Sequence, residues 1–501
     1  MLQYEVRKCA ILSYPIALVT IRQKEVLSLE TRALFGRRVI FTNVSEITRE
    51  NVVDVLRKAF TTHLRNKNEM EYLYRYYKGN QPIIYRQKEV RPEIKNTVVE
   101  NRANEIVSFK VGYLMGEPVQ YVSRGNDEAV TQNVTRLNDY VLGEDKAAKD
   151  KELAEWAHIC GTSYRMVLPD GEADFEEDEA PFEMFTLDPR FSFVVYQNSL
   201  GTPPMMGVKY IEREKSTRVF SVYTKDRYFE IEDFEIIKDE EQILGIPIVE
   251  YPLNNSRLGA FEIVLPLLDA INNVDSNRLD GVEQFVQALM LFHNVDISSA
   301  DYAKLRQEGA IKFKDIDPQL KAEIEYLTAE LNQAQTQTLI DHMYDTVLTI
   351  CGMPNRNGGS STSDTGSAVI MRDGWSAAEA RAKDTELMFK KSEKEFLKLV
   401  LRICNDLSDL SLKLSSLEIR FTRRNYENIS EKANVLVTML NNPKIAPQLA
   451  FTHCGMFSDP QIAYAMSMAY AEEQEKKMLA QMNKLAGVKT DKDDDGGEGD
   501  V

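Results

Sequence analysis

Apolar residues recur at helical intervals in the first part of the chain. From Thr48 onward, spacings of three and four predict an amphipathic helix, with a face formed by Val53, Leu56, Phe60 and Leu64. A second short helix is predicted over residues 70–77, and Gly79 is placed to end it with a left-handed residue. Asn96 is expected to cap a further helix that runs to Met115.

The pattern changes to short alternating runs in the middle of the chain. Such runs, separated by turn signals such as Pro169-Asp170-Gly171, are typical of strands. The sequence therefore predicts a β-rich block, with strands near residues 119–122, 163–168, 191–196, 206–211, 218–224 and 228–231.

Helical spacing returns after Gly259. A helix is expected to begin at Pro266 and to continue through Leu289 and Phe292. The polar segment 296–327 interrupts it, and a second helix is expected over 331–350.

A loop without any residue able to anchor a core follows this second helix. Gly352, Met353 and Pro354 should end the helix, and residues 355–366 are rich in glycine and serine. A helix of roughly 60 Å is predicted over 367–405, with Gly374 as a candidate kink. A strand near 417–422 and further helices complete the chain, the last over 461–485.

The charge balance argues against tight binding of nucleic acid. The chain of 501 residues has a formal net charge of −17, whereas proteins that grip DNA concentrate lysine and arginine. Acidic residues cluster at 172–179, 230–241 and 491–500, which we interpret as solvated loops or ends.

The chain carries no common catalytic or nucleotide-binding motif. There is no P-loop, dinucleotide fingerprint, nucleophile elbow or paired-histidine zinc motif. The five cysteines have no metal-ligand spacing and are expected to be buried thiols. The tyrosines at 72, 74, 76 and 77 form either a base-stacking surface or, as is more common, a packed core. We therefore expect no enzyme, no cofactor, no metal and no membrane segment.

Several segments in order resemble tailed-phage portal proteins of the SPP1-like group. The first includes Asn96, Asn101, Ile106-Val107 and the run from Gly112 to Tyr121. The second includes residues 267–272 with Ser276, Asp280 and Leu291, and the third is the run from Thr365 to Val369. Thr365 and Val369 depart from the serine and leucine expected there.

The resemblance implies a mainly α, α+β portal-type fold. Its expected regions are an unassigned extension at 1–47, a wing with β structure at 48–260, a stem helix at 261–295, a small α/β clip at 296–328, a second stem helix at 329–353, a tunnel loop at 354–366, a long wing helix and strand at 367–427, a helical crown at 428–486 and an acidic, disordered tail at 487–501.

The resemblance also implies a function. Such a chain forms a ring, usually a dodecamer, at a single vertex of the phage capsid, and double-stranded DNA passes along its axis during packaging and ejection. The implied protein partners are the terminase large subunit, a head-completion adaptor, and the major capsid and scaffolding proteins. The ring is assembled in the host cytoplasm and resides in the virion.

Two groups of site residues follow from the resemblance. The implied DNA-facing tunnel loop consists of Asn355, Arg356, Asn357, Gly358, Gly359, Ser360, Ser361, Thr362, Ser363 and Asp364. The implied docking residues of the clip are Lys304, Arg306, Lys312 and Lys314. Arg356 either makes a transient phosphate contact or pairs with an acid on a neighbouring helix.

Two other readings remain open at this level. Another self-associating capsid or head-tail connector protein would share the long helices. A metal-dependent nuclease that uses clustered acids would cleave DNA with magnesium or manganese.

Overall fold

The computed structural model describes most of the chain. The described residues are 36–89, 91–125, 127–171, 179–213, 217–286, 289–296, 298, 300, 314–316, 323–327, 333–355, 374–422, 429–457 and 460–487. No helix among them is long and apolar enough to cross a membrane.

The described residues form ten α-helices. They are α1 (Val52–Tyr77), α2 (Arg102–Leu114), α3 (Glu128–Gly143), α4 (Lys146–Cys160), α5 (Leu265–Val286), α6 (Gln333–Cys351), α7 (Trp375–Leu407), α8 (Ile429–Leu440), α9 (Pro447–His453) and α10 (Pro460–Gly487). The mainly α, α+β fold class expected from the sequence is confirmed.

The strands are short and belong to five separate sheets. They are β1 (Ile40–Thr42), β2 (Gln120–Ser123), β3 (Thr162–Pro169), β4 (Phe182–Leu187), β5 (Ser192–Gln197), β6 (Pro204–Glu212), β7 (Arg218–Tyr223), β8 (Arg227–Glu232), β9 (Glu235–Glu241), β10 (Ile248–Pro252), β11 (Leu289–His293), β12 (Val295–Asp296), β13 (Lys314–Asp315), β14 (Glu323–Leu327) and β15 (Leu417–Arg420).

Helix α1 joins two hydrophobic cores. Its first turns pack Leu56 and Phe60 against the six-stranded sheet, whose order is β1-β5-β6-β7-β8-β9. Its last turns place Leu73 and Tyr76 in the larger core, which also contains residues of α2 to α7. Two helices were predicted here, and that prediction is wrong, because Asn66 and the residues around it continue the helix without a break.

The end of α1 follows the prediction. Gly79 has a φ of +90°, and the N–H of Asn80 donates to the carbonyl of Arg75 at 2.9 Å, which closes the last turn. Tyr76 and Tyr77 are buried in the larger core, so these tyrosines pack and do not form an exposed stacking surface.

The β-rich middle block is confirmed, but the interpretation of residues 230–241 as a solvated loop is wrong. These residues form the hairpin of β8 and β9, paired antiparallel from Arg227–Glu241 to Glu232–Glu235. Phe229 and Ile231 are fully buried at alternate positions of β8. Glu230, which lies between them, therefore takes the other face of the sheet.

The first helix after Gly259 is shorter than the pattern predicted. It ends at Val286, and Leu289 and Phe292 lie in β11, where they pair with Leu327 and Ile324 of β14. Their separation of three residues fits a helix, but a partner strand more than thirty residues away supplies the backbone hydrogen bonds. A second antiparallel pair, β12 with β13, follows.

Gly374 was predicted to kink the long helix α7, and this prediction is wrong. Gly374 precedes the helix and has a φ of +83°, which a right-handed helix interior excludes. The described helix has 33 residues and is therefore about 50 Å long. Residues 367–373, predicted as its first turns, lie outside the described residues.

The cysteine prediction is confirmed for Cys160, Cys351, Cys404 and Cys454, which are free and buried; Cys9 lies outside the described residues. Burial raises the pKa of the Cys351 thiol to about 11, so that thiol is protonated and unreactive at neutral pH.

Candidate functional site: the stem helices and the loop base

Helices α5 and α6 lie side by side in opposite directions. Near the end of α5, the Arg278 guanidinium donates to the side chains of Gln333 and Gln337 at the start of α6, the latter at 2.6 Å. At the other end, the thiol of Cys351 lies 3.9 Å from the carbonyl oxygen of Ala260. The pair therefore carries the β11–β14 insertion at one end and the predicted tunnel loop at the other.

An extended segment, residues 96–100, lies along α5 and is called the strap below. The N–H of Asn96 donates to Asp280 Oδ1 at 2.8 Å. The N–H of Val98 donates to Ser276 Oγ at 2.9 Å, and that of Glu100 donates to Asn272 Oδ1 at 2.8 Å. Every second amide of the strap therefore has a side-chain partner on α5.

The spacing of the two segments explains this ladder. Two residues of extended chain advance by about 6.6 Å, and four residues of α-helix advance by about 6.0 Å. Asn272, Ser276 and Asp280 are four apart and almost fully buried. Their side-chain oxygens thus accept hydrogen bonds from strap N–H groups that are not part of any strand or helix.

Asp280 also fixes the chain that leads into the strap. Its Oδ2 accepts from Lys88 Nζ at 2.9 Å and lies 3.2 Å from Arg86 Nη2. Burial opposes its ionisation, but hydrogen bonds from Lys88 and Asn96 outweigh that effect and hold the pKa of the Asp280 carboxyl below its ordinary value. The carboxylate therefore stays charged at neutral pH.

The expectation that Asn96 caps a helix is wrong. Helix α2 begins six residues later, where Asn101 Oδ1 accepts from the N–H of Asn104. Asn96 instead uses its side chain on α5, donating to Glu283 Oε2 at 2.7 Å. Both asparagines thus have structural roles that join residues 96–101 to the helices around them.

A carboxyl pair lies at the inner end of the strap, where Asp275 faces Glu100. Burial and the hydrogen bond with Glu100 raise the pKa of Asp275 to about 6, against the opposing effect of Arg278 and Arg102. One oxygen of Asp275 is buried without another hydrogen-bond partner. The Asp275 carboxyl is therefore protonated below about pH 6 and ionised above it.

The chain leaves α6 through a tight reversal. Gly352 has a φ of +64°, its N–H donates to the Thr349 carbonyl at 3.2 Å, and the N–H of Met353 donates to the Leu348 carbonyl at 2.8 Å. These two bonds form a glycine-terminated helix end. Because Met353 and Leu348 are both buried in the larger core, the start of the loop is held rigidly.

Two cations lie at this helix end. Lys110 Nζ donates to the Cys351 carbonyl at 2.7 Å, and a Cβ added to Gly352 would be 2.7 Å from Arg381 Cγ. Burial lowers the pKa of Lys110, and the nearby Arg381 lowers it further. Cations at a helix C-terminus are favourable because they face the negative end of its dipole.

The chain returns to the same place after the loop. A Cβ on Gly374 would be 3.7 Å from the Cα of Pro354. Trp375 then packs on Phe109 and Tyr113 of α2, each with ring centroids 6.1 Å away. Residues 355–373 therefore begin and end at one point on a platform made by α2, α6 and α7.

Among the loop residues implied by the resemblance, only Asn355 is described. Its Nδ2 donates to Asp345 Oδ1 of α6 at 3.0 Å. The rest of the predicted tunnel loop, residues 356–364, lies outside the described residues. Lys304, Arg306 and Lys312 of the predicted clip also lie outside them, and Lys314 lies in β13 opposite Asp296.

The charged residues in the described part of the chain are the remaining candidates for chemistry. It holds no group of three or more His, Cys, Asp or Glu side chains able to bind a metal ion. Four buried charged residues pair with each other in the larger core, namely Lys146, Asp150, Arg165 and Glu393. Such a network holds elements together and does not expose a reactive group.

The described part of the chain thus contains an antiparallel helix pair, α5 and α6, with strands β11 to β14 between them in the sequence. Residues 56–484 match the family model described as phage portal protein, SPP1 Gp6-like. The chain belongs to that family. A search of curated proteins found no match.

Family membership has direct consequences for the class of function. The chain is a structural component of a bacteriophage capsid and serves DNA packaging. Membership also implies a multimeric ring with DNA at a capsid vertex.

Proposed function

We propose that this chain forms the ring through which DNA enters the capsid during packaging and leaves it during ejection. Twelve copies surround one axis in this proposal, and the ring acts as a conduit and docking platform without catalysing a reaction. The observation that carries the proposal is the family match over residues 56–484. The antiparallel α5–α6 pair, which would form the stem, supports it.

The Gly/Ser-rich loop 355–366 is assigned to the tunnel wall. Its support is the family match, together with the position of Asn355 and Gly374, which bracket this segment in the sequence and lie on the same platform. Arg356, Asn355 and Asn357 offer donors for passing phosphates. The net charge of −17 favours sliding, since each ion pair with phosphate adds affinity and slows movement.

A photo-crosslinking amino acid at Ser360 tests the assignment during packaging into capsids. We expect cross-links to DNA from Ser360 and none from the matched position Leu200, an exposed residue of the wing. Shortening residues 358–363 should leave rings intact and impair packaging. Equal packaging by the shortened chain, or equal cross-linking at both positions, would contradict the assignment.

The insertion 296–328 is assigned to docking of the terminase large subunit and then of the head-completion adaptor. Its support is its position at the end of the stem pair that is opposite the loop base. Reversing the charges of Lys304, Arg306, Lys312 and Lys314 should weaken capture of both partners in a pull-down. Reversal of Lys444, an exposed lysine in the turn before α9, should not, and unchanged capture by the clip variant would refute the docking role.

Contacts with the major capsid and scaffolding proteins belong to the same proposal, with the carboxyl-terminal helices as the crown inside the capsid. Assembly takes place in the host cytoplasm before the ring becomes part of the virion. A capsid assembled without this chain should contain no packaged DNA.

A further inference from the structure

Four cations lie in one row along the solvent side of α7. Successive residues of an α-helix are turned by about 100°, so residues three or four apart share a side. Phe396 and Val400 are fully buried in the larger core, and the row lies about 180° around the helix from them. We call this row the basic ridge; it consists of Lys391, Lys394, Lys398 and Arg402, all of which are exposed.

The charge of the basic ridge is opposite to that of the whole chain. The chain has 61 lysines and arginines against 78 aspartates and glutamates. Between residues 391 and 402, the exposed positions of α7 hold the four cations and one acid, Glu395. Positive charge is therefore concentrated on one helix face of an acidic subunit, a distribution typical of nucleic-acid contacts.

The ridge cations have few partners in their own chain. In the part of the chain that the structure describes, Lys391 and Lys394 form no ion pair. Lys398 Nζ lies 2.7 Å from Glu395 Oε1, but both side chains are more than half exposed, and such a pair is weak. Arg402 Nη1 donates to the Leu244 carbonyl at 3.4 Å. The ridge charges thus remain available to an anion outside the subunit.

The composition of the ridge fits a nucleic acid better than a protein. The buried centre of a protein interface is enriched in aromatic residues and methionine and depleted in lysine. The ridge is mostly lysine, and one large apolar residue, Leu387, lies on the same side of the helix with 68% exposure. Phosphate groups, in contrast, are contacted by exposed lysine and arginine.

The spacing of the ridge suits a contact that does not depend on sequence. From Lys391 to Arg402 the ridge is about 16.5 Å long at about 1.5 Å per residue. Double-stranded DNA carries one charge per about 1.7 Å of its axis, so about ten phosphate charges lie along that length when the two axes are parallel. The ridge therefore finds phosphates at many positions of the duplex, and such contacts are exchanged as a protein slides along DNA.

We propose that the basic ridge is a second DNA-contacting surface of the subunit, which binds the phosphate backbone of a duplex without reading its sequence. The inference rests on the proposed function, because family membership implies a ring with DNA at a capsid vertex. It adds a surface on α7 to the assigned tunnel loop. About 15 Å of helix separates Lys391 from Arg381 at the loop base, which is less than the length of about 34 Å of one duplex turn, so one duplex can reach both regions.

Removing the charge of the ridge tests the proposal. The ridge variant carries Lys391→Gln, Lys394→Gln and Lys398→Gln. Glutamine is about as good a helix former as lysine, so α7 should be retained. A control variant loses the same charge at three exposed lysines of the wing, through Lys58→Gln, Lys209→Gln and Lys225→Gln.

Fluorescence anisotropy of a short labelled duplex measures binding to the full-length proteins from about 50 to about 200 mM salt. For the ridge variant, the slope of log affinity against log salt should be shallower by about 2.7 for each subunit in contact, since each lost phosphate contact contributes about 0.9. Its affinity at the lower salt should fall at least about tenfold. The control variant should bind like the unmodified chain. Equal slopes for the ridge variant and the unmodified chain would overturn the proposal.

A photo-crosslinking amino acid at Leu387 locates the contact during packaging into capsids. Leu142, near the end of α3 and 75% exposed, is the matched control position. We expect cross-links to DNA from Leu387 and none from Leu142. Absence of cross-links at Leu387, or equal cross-linking at both positions, would contradict the assignment.

The outcomes separate this inference from the proposed function and from a protein partner. Cross-links to DNA at Ser360 without cross-links at Leu387 contradict the ridge alone. An unmodified chain that forms no rings contradicts the proposed function, whatever its affinity for a duplex. If the ridge variant fails to form rings while the control variant forms them, the ridge binds a second copy of the chain, and the proposal is wrong.

Discussion

Replacing Ser276 with alanine should loosen the strap from α5. The Ser276 hydroxyl is fully buried and accepts the Val98 N–H at 2.9 Å. Alanine removes the acceptor, adds no volume and leaves this amide without its partner. Loss of one such hydrogen bond costs about 1–2 kcal/mol, which corresponds to a change of about 5- to 30-fold in a local opening equilibrium.

Hydrogen exchange measured by mass spectrometry on the full-length chain reports the local opening of the strap directly. In the unmodified protein, the Val98 amide should be protected although it belongs to no sheet or helix. In the Ser276→Ala protein, its exchange should be about 5- to 30-fold faster. A local measurement is preferable because it reports on the strap without a contribution from the rest of the chain.

The neighbouring Asn273 provides a matched control. It lies on the same helix, is exposed, and its side-chain amide donates to the Asp269 carbonyl of α5 at 2.9 Å. Asn273→Ala should leave exchange at Val98 unchanged. Unprotected exchange at Val98 in the unmodified chain, or identical exchange in Ser276→Ala and the unmodified chain, would refute the ladder as the contact that holds the strap.

Three further substitutions probe the regions around the stem. The pKa of Asp275 is raised to about 6, so the contribution of this carboxyl to the free energy of unfolding should fall as pH rises from about 4 to about 6. Asp275→Asn should remove that fall, which is worth about 1 kcal/mol after solvent screening. Urea midpoints measured against pH test this, and the same slope in both proteins would count against the carboxyl pair. Gly352→Ala should destabilise by about 1–2 kcal/mol, because a Cβ is disfavoured at positive φ, and an unchanged thermal midpoint would contradict the tight reversal. Glu393→Ala removes one of the two carboxylates that pair with Lys146 and Arg165 in the core. The urea midpoint should fall by the equivalent of about 3–5 kcal/mol. A loss below about 1 kcal/mol would show that Asp150 alone is enough to stabilise the two buried cations.

Local signals in the sequence predicted the features that depend on local geometry. Gly79 and Gly352 end their helices because positive φ is inexpensive only for glycine. The alternating runs of the middle block were recognised as strands since each buries one face. The same local signals failed at Gly374, where the glycine begins a helix rather than bending one.

Features that depend on distant partners were not predictable in this way. Asn96 resembles a helix cap, but its backbone partner Asp280 is 184 residues away. Leu289 and Phe292 match a helical interval, yet β14 determines their conformation. No pattern within a short window contains that information.

The candidate site was only partly visible in the sequence. Asn272, Ser276 and Asp280 contributed to the family resemblance, but their shared role as acceptors for the strap follows from the fold. Lys110 and Arg381, which lie at the loop base, gave no sequence signal, because a lone cation in a helical pattern is usually a solvated one. The DNA-facing role of the loop itself stays a prediction.

Electron microscopy of the purified full-length chain tests the central claim most directly. The account predicts closed rings with an open central channel, and class averages with one dominant symmetry, which we expect to be twelvefold. The stem pair should form the channel wall. Particles that remain monomeric at high protein concentration and are absent from a unique vertex of assembled capsids would contradict it.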